Sequence, residues 1–117
     1  MDKITIWHNP RCSKSRNSLV LLEEKGLDAE VIKYLDEVPS KEELKNMLKM
    51  LGMNSARELM RTKEAEYKEL NLADEHSEEA LLTAMVKNPK LIERPIVIKG
   101  NKAAIGRPIE KVIELLV

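Results

Sequence analysis

The chain has one cysteine, Cys12, set in the run His8-Asn9-Pro10-Arg11-Cys12-Ser13-Lys14-Ser15-Arg16. The β-formers Ile4-Thr5-Ile6-Trp7 precede this run and a helix-forming stretch follows it, so the thiol falls where a strand hands over to a helix N-terminus. Unpaired N–H groups at such a terminus favour negative charge. Arg11, Lys14 and Arg16 push the same way, and a thiol so placed ionises more readily than free cysteine. A lone cysteine is more often a small buried hydrophobe, but a core cysteine rarely sits between Arg and Ser in a loop that begins Asn-Pro. The expectation is therefore a reactive thiolate. His8 can add a hydrogen bond or a positive charge, although a histidine at a strand end, taken alone, is an ordinary surface residue. Cys12-Ser13-Lys14-Ser15 has C-x-x-S spacing, with Ser15 standing where a dithiol enzyme carries its resolving cysteine. The Ser15 hydroxyl can hydrogen-bond the thiolate. With no second thiol in the chain, turnover calls for an external one such as glutathione.

These residues need a scaffold, and the hydrophobic pattern predicts one. Strand Ile4–Trp7 leads to a helix from about Ser13 or Lys14 to Lys25, with Leu19, Val20 and Leu22 as core positions and Gly26 as its stop. Ala29–Tyr34 reads as a second strand, completing a β-α-β unit that favours a parallel pair. The middle, from about residue 40 to 88, reads as a helical insertion. Ser40-Lys41-Glu42-Glu43 is a capping box ahead of Leu44, Met47, Leu48 and Leu51, and Gly52 ends that helix. Ser55-Ala56-Arg57-Glu58 repeats the pattern before Leu59 and Met60. Ser77-Glu78-Glu79 opens a third helix carrying Leu81, Leu82, Met85 and Val86, closed by Asn88-Pro89. Ile96–Lys99 and Lys102–Ile105 flank Gly100-Asn101 as a hairpin. Gly106-Arg107-Pro108 opens a last helix with Ile109, Val112, Ile113 and Leu116 as its stripe. The order β-α-β, helical insertion, β-β-α is the thioredoxin-like α/β plan with a four-stranded mixed sheet in one domain, 1–117.

Composition narrows the function classes. At 117 residues, 43% of them hydrophobic, the chain can bury one core, which must be aliphatic because Trp7, Tyr34 and Tyr67 are its only aromatics. Lys plus Arg equals Asp plus Glu, 20 against 20, so no global field draws nucleic acid or an anionic membrane. Any anion site must come from a few converging arginines. The opening Met1-Asp2-Lys3 has no signal-peptide character, and no apolar run reaches the roughly 18 residues of a spanning helix. A single cysteine forbids an internal disulfide, argues against structural zinc and suits a reducing compartment. The expectation is a cytoplasmic protein, monomeric in solution, with no metal and no bound organic cofactor.

At this point the residues resemble a family. The segment from Ile4 to Asn17 resembles the active-site opening of the glutaredoxin-coupled bacterial arsenate reductases, the ArsC-like branch of the thioredoxin fold. Glu58-Leu59-Met60-Arg61, Tyr67-Lys68-Glu69-Leu70, Leu91-Ile92-Glu93-Arg94-Pro95-Ile96-Val97 and Gly106-Arg107-Pro108 follow in the family's order. The resemblance implies that Cys12 attacks arsenate and that His8 helps to hold it as a thiolate. It implies that Arg61, Arg94 and Arg107 bind the oxyanion, for which the guanidinium fork is suited, and that Pro95 is the cis-proline beside the active cysteine. Without the resemblance each arginine is an ordinary surface residue, although Arg94 and Arg107 both adjoin a proline in short loops. Glutathione and a glutaredoxin are the implied electron donors. Ser13-Lys14 replaces the Gly-Thr of the plasmid-borne members, and the chain looks like the shorter chromosomal branch. Two other readings share the fold. One is a glutathione-dependent thiol reductase with another substrate. The other is an Spx-like redox regulator that binds RNA polymerase, for which the missing C-x-x-C switch is unfavourable.

Overall fold

Ile4–Trp7 forms β1, one of the two inner strands of the sheet. In the computed structural model, which describes residues 3–106 and 109–116, the sheet order is β2-β1-β3-β4. Here β2 is Ala29–Ile32, β3 is Ile96–Lys99 and β4 is Lys102–Ile105. β1 pairs parallel with β2, matching Ile6 with Val31, and antiparallel with β3, matching Ile6 with Val97. Parallel neighbours need a crossover, and α1, Ser13–Glu24, supplies it. β3 and β4 close as a hairpin with Lys99 opposite Lys102. Gly100, the first turn residue, has φ +61°, the sign that a two-residue hairpin turn of this hand requires there. Ile4, Ile6, Leu22 and Val97 form the core with Val112 of α5, Glu110–Leu116. The mixed four-stranded sheet and its helices are the thioredoxin-like α/β fold expected from the sequence.

The chain divides into two compact units, residues 1–37 with 94–117, and residues 38–93. The second unit is helical. In α2, Lys41–Leu51, the Ser40 capping box is present in both directions, Glu43 N–H to Ser40 Oγ and Ser40 N–H to Glu43 Oε1, each 3.2 Å. α2 packs on α4, Glu78–Lys87, and Leu44 and Met47 of α2 and Leu81 and Met85 of α4 are buried. Ser55 begins a 3-10 helix, Ala56–Leu59, and accepts from the Arg57 N–H at 3.2 Å. Glu78 reaches across from α4 to the same end, taking the Ala56 N–H at 2.8 Å and the Ser55 hydroxyl at 3.0 Å. A short helix that the periodicity did not predict, α3, spans Ala65–Glu69. Arg57 holds it: its guanidinium donates to the Tyr67 hydroxyl and to the carbonyls of Leu72 and Glu75, and lies over the Tyr67 ring.

Four expectations need correction. The second strand stops at Ile32, and Tyr34 is buried in the turn beyond it. α1 buries Ser15, Ser18 and Leu22, positions on one helical face, so Val20 projects from the opposite side and is 48% exposed. Leu59 belongs to a 3-10 turn rather than an α-helix, and Met60 is already extended. In α5 only Val112 is fully buried; Leu116 packs against the core as expected, but Ile113 faces solvent and Leu115 takes its place against the core. No helix among the described residues is long and apolar enough to cross a membrane.

Ser18 sits inside this packing with its hydroxyl buried and without a hydrogen-bond partner among the described residues. A Cβ on Gly106 would lie 2.6 Å from Ser18 Oγ and 2.8 Å from Pro95 Cγ. Glycine is thus what allows α1, Pro95 and the end of β4 to meet. Gly106→Ala is expected to destabilise the protein by about 1–3 kcal/mol through overpacking, read from the urea midpoint. In a Ser18→Ala background that loss should shrink, because one of the two colliding atoms is gone. Ser18→Ala alone should be neutral or stabilising by up to about 1 kcal/mol, since it removes an unsatisfied buried hydroxyl.

Candidate active site

The site begins where β1 runs out. His8 N–H donates to Ile32 O at 2.8 Å, carrying the parallel pairing one residue past the strand. The chain then turns sharply. Asn9 Oδ1 accepts from Arg11 N–H and Asn9 O accepts from Cys12 N–H, both at 3.0 Å. An Asn side chain that closes a turn on the backbone two residues ahead is the local chemistry that makes Asn-Pro a turn starter. The turn delivers Cys12 to the N-cap of α1, with φ −96° and ψ 122°, and Cys12 O accepts the first helical bond from Arg16 N–H at 3.0 Å. Arg16 Nη1 also donates back to Pro10 O at 2.9 Å, tying the turn to the helix it precedes.

Beneath the turn lie three buried polar residues, His8, Asn9 and Ser15. Ser15 Oγ accepts from Asn9 N–H at 3.0 Å and is 2.6 Å from His8 Nδ1. Burial pushes the His8 pKa below 6.5, and the charges of Lys33 and then Arg16 lower it further. His8 is therefore neutral at pH 7. An imidazolium there would be desolvated and beside two cations, and the hydrogen bond that the ring makes is to Ser15. The neutral pair has two proton arrangements. Either Ser15 donates to Nδ1, or Nδ1 carries the proton and donates to Ser15, which leaves the serine hydroxyl proton for another acceptor. Ser15 follows Cys12 by three residues and so lies on the same side of α1.

Cys12 is itself 8% exposed. Pro95 is buried in the same unit, and the Arg94–Pro95 peptide is cis. Its carbonyl accepts from Gly106 N–H at 2.9 Å. Arg94 and Arg107 thus each adjoin, in sequence, one member of the Pro95–Gly106 contact. Arg94 is half-buried, and Arg107 lies outside the described residues.

Arg61 belongs to the helical unit. Its N–H donates to Leu91 O at 2.7 Å, next to an antiparallel bridge between Met60 and Ile92. Its guanidinium pairs with Glu64 at 2.5 Å, both side chains being about three-quarters buried at 21% and 27% exposure. The structure therefore groups Cys12, His8 and Ser15 at one strand-to-helix corner, with Pro95 in the same unit, and gives Arg61 an acidic partner of its own. The sequence reading did not foresee the contacts of Asn9, Arg16 and Gly106, and it missed Glu64. Asn-Pro was a visible turn signal for the first, whereas the close approach at Gly106 depends on residues far apart in the chain. Among the described residues, no group of three or more His, Cys, Asp or Glu side chains is placed to hold a metal ion.

Comparison with known proteins places this corner in a lineage. The sequence model of the ArsC family matches residues 7–115. The chain is 60% identical to the uncharacterized protein YfgD of Escherichia coli K12 over 115 residues, covering 97% of each. It is 52% identical to an arsenate reductase of Neisseria meningitidis serogroup A over 117 residues, covering 99% of this chain and 100% of that one. The solved structure of an arsenate reductase from Vibrio cholerae superposes with a TM-score of 0.93 at 54% identity, covering 97% of both chains. The match extends from the end of β1 to the last helix, and on it the chain belongs to the ArsC family.

Proposed function

We propose that the protein reduces arsenate to arsenite through the Cys12 thiolate, with glutathione and a glutaredoxin supplying the two electrons. The observation that carries this reading is Cys12 at the N-cap of α1, above the buried bond between His8 and Ser15. A helix N-terminus stabilises both a thiolate and an incoming oxyanion. Named arsenate reductases align with almost the whole chain.

By resemblance to the ArsC family, Arg61, Arg94 and Arg107 are the residues assigned to hold arsenate at the start of the cycle. Cys12 sulfur bonds to arsenic while one arsenate oxygen leaves as water. His8, neutral, donates from Nδ1 to Ser15, and the Ser15 hydroxyl steadies the sulfur charge. A glutathione thiol then displaces a second oxygen from arsenic. A glutaredoxin thiolate attacks the glutathione sulfur, and the electron pair of the breaking S–As bond stays on arsenic, taking As(V) to As(III). Glutathione and glutaredoxin leave as a mixed disulfide. Water releases arsenite and restores the Cys12 thiolate. The arginines act where negative charge gathers on the arsenic oxygens. No metal or bound organic cofactor enters the cycle, and the enzyme works in the cytoplasm as a monomer.

In a coupled assay containing glutathione, glutaredoxin, glutathione reductase and NADPH, arsenate should drive NADPH oxidation, and Cys12→Ser should abolish it. Turnover by Cys12→Ser, or none by the wild type, refutes the reading. Arg94→Ala should lower kcat/KM for arsenate roughly ten- to a hundredfold, the loss of one or two charge-assisted hydrogen bonds. Unchanged kcat/KM there would point to a thiol reductase with another substrate.

The role of His8 has its own test, a proton NMR titration of its imidazole. The midpoint should fall below 6.5, the direction set by burial, Lys33 and Arg16, and a midpoint at or above 6.5 would remove the neutral hydrogen-bonding role. The sign for stability follows. As pH falls, the unfolded chain takes the proton before the folded one does. This residue's contribution to stability is therefore present above pH 6.5 and is lost as pH drops through the lowered folded value.

A further inference from the structure

The segment carrying Arg61 is fixed at both ends. Upstream, Met60 bridges to Ile92, Arg61 N–H donates to Leu91 O, and Glu93 N–H donates to Leu59 O at 2.9 Å. Downstream, Glu64 N–H closes a turn on Arg61 O at 3.2 Å, and Glu64 occupies the N-cap position of α3. Tyr67 N–H then donates to Glu64 O at 3.1 Å, while the Tyr67 ring and hydroxyl are held by Arg57. Glu64 is thus placed by the backbone rather than by chance on a mobile surface. The same four-residue turn is closed a second time by its side chains, Arg61 Nη1 to Glu64 Oε1 at 2.5 Å.

This contact is single-pronged. Glu64 takes one nitrogen of the guanidinium, and a planar guanidinium carries five N–H donors in a fixed fork. The remaining donors of Arg61 have no partner among the described residues. A carboxylate that grips one corner of the fork fixes the plane of the group and leaves its other edge open to a ligand. The same carboxylate also carries a negative charge beside the place where an anion must arrive.

We propose that Glu64 is a positioning residue for the oxyanion ligand Arg61, an internal counter-ion that orients the guanidinium and weakens its hold on arsenate. This rests on the reading of Arg61 as an oxyanion ligand. Orientation and charge are separable by substitution. Glu64→Gln keeps an oxygen that can accept from Nη1 and removes only the charge, whereas Glu64→Ala removes both.

The experiment follows the Arg61 side-chain N–H signal by NMR as inorganic arsenate is added to the full chain carrying Cys12→Ser, with and without the Glu64 substitutions. Steady-state kinetics are measured in parallel on proteins that retain Cys12. Glu64→Gln should lower the half-saturating arsenate concentration and KM roughly three- to tenfold, the scale of one partly screened charge, with kcat within about twofold of the wild type. Glu64→Ala should lower kcat several-fold, and the glutamine variant should escape that loss, which a merely structural role would not separate. Half-saturation unchanged or raised in Glu64→Gln, or an Arg61 signal that arsenate leaves unmoved, overturns the proposal. Wild-type turnover with an unmoved Arg61 signal overturns this inference alone. Arsenate binding that tightens in Glu64→Gln without any wild-type turnover supports the inference and overturns the proposed activity.

Discussion

Buried polar groups must find partners or the fold loses the free energy of their hydration. At the corner between β1 and α1 that constraint is met by a single oxygen. Ser15 Oγ serves the Asn9 N–H, which the end of the strand leaves without a ladder partner, and it serves His8 Nδ1 as well. The turn from Asn9 to Cys12 then has one way to close, and the cysteine arrives at the helix cap with its backbone already bonded on both sides. Every chemical property assigned to Cys12 depends on that arrival. Remove the serine oxygen and two buried nitrogens lose a partner together.

The helical unit answers the same constraint differently. Its connecting segments carry little regular structure, so their backbone groups are satisfied by charged side chains from elsewhere in the unit. Glu78 ends on the opening of the 3-10 helix, and Arg57 collects the Tyr67 hydroxyl and two carbonyls. Charge-assisted bonds of this kind are stronger than neutral ones and are geometrically specific. They give a stretch with short helices and a left-handed Asn71 a defined path, and that path sets where Arg61 and Glu64 stand.

What could be read from the sequence follows from the range of the interactions concerned. The capping box at Ser40, the Gly100-Asn101 turn and the crossover helix are local, with signals contained within a few residues, and each was legible. The placement of Cys12 at a helix cap was legible for the same reason. α3 escaped because five residues are too few to show a period, and the grip of Arg57 on Tyr67 that helps to hold it comes from outside the segment. The buried face of α1 was misassigned because its inner positions include two serines, whose burial answers to His8, Asn9 and the Pro95–Gly106 contact rather than to hydrophobicity. The neutrality of His8 was illegible in the sequence, since it is set by burial and by Lys33, 25 positions away in the chain. Arg61 was found by resemblance alone, and its pairing with Glu64 would not have been guessed from that resemblance.

The scarcity of aromatic residues has a practical result. Trp7 is the sole tryptophan, buried at 5% exposure as the last residue of β1 and immediately ahead of His8. The helical unit contains no tryptophan, and Tyr67 is its one strong chromophore. Light absorbed only by indole is therefore emitted from the strand end that carries the reactive corner, and the helical unit stays dark. Far-ultraviolet dichroism reports the helices of both units, α1 and α5 as well as α2, α3 and α4, so the indole signal follows one unit while the dichroism signal averages over the two. Their coincidence or separation during unfolding would show whether the two units melt as one cooperative body, with no label attached.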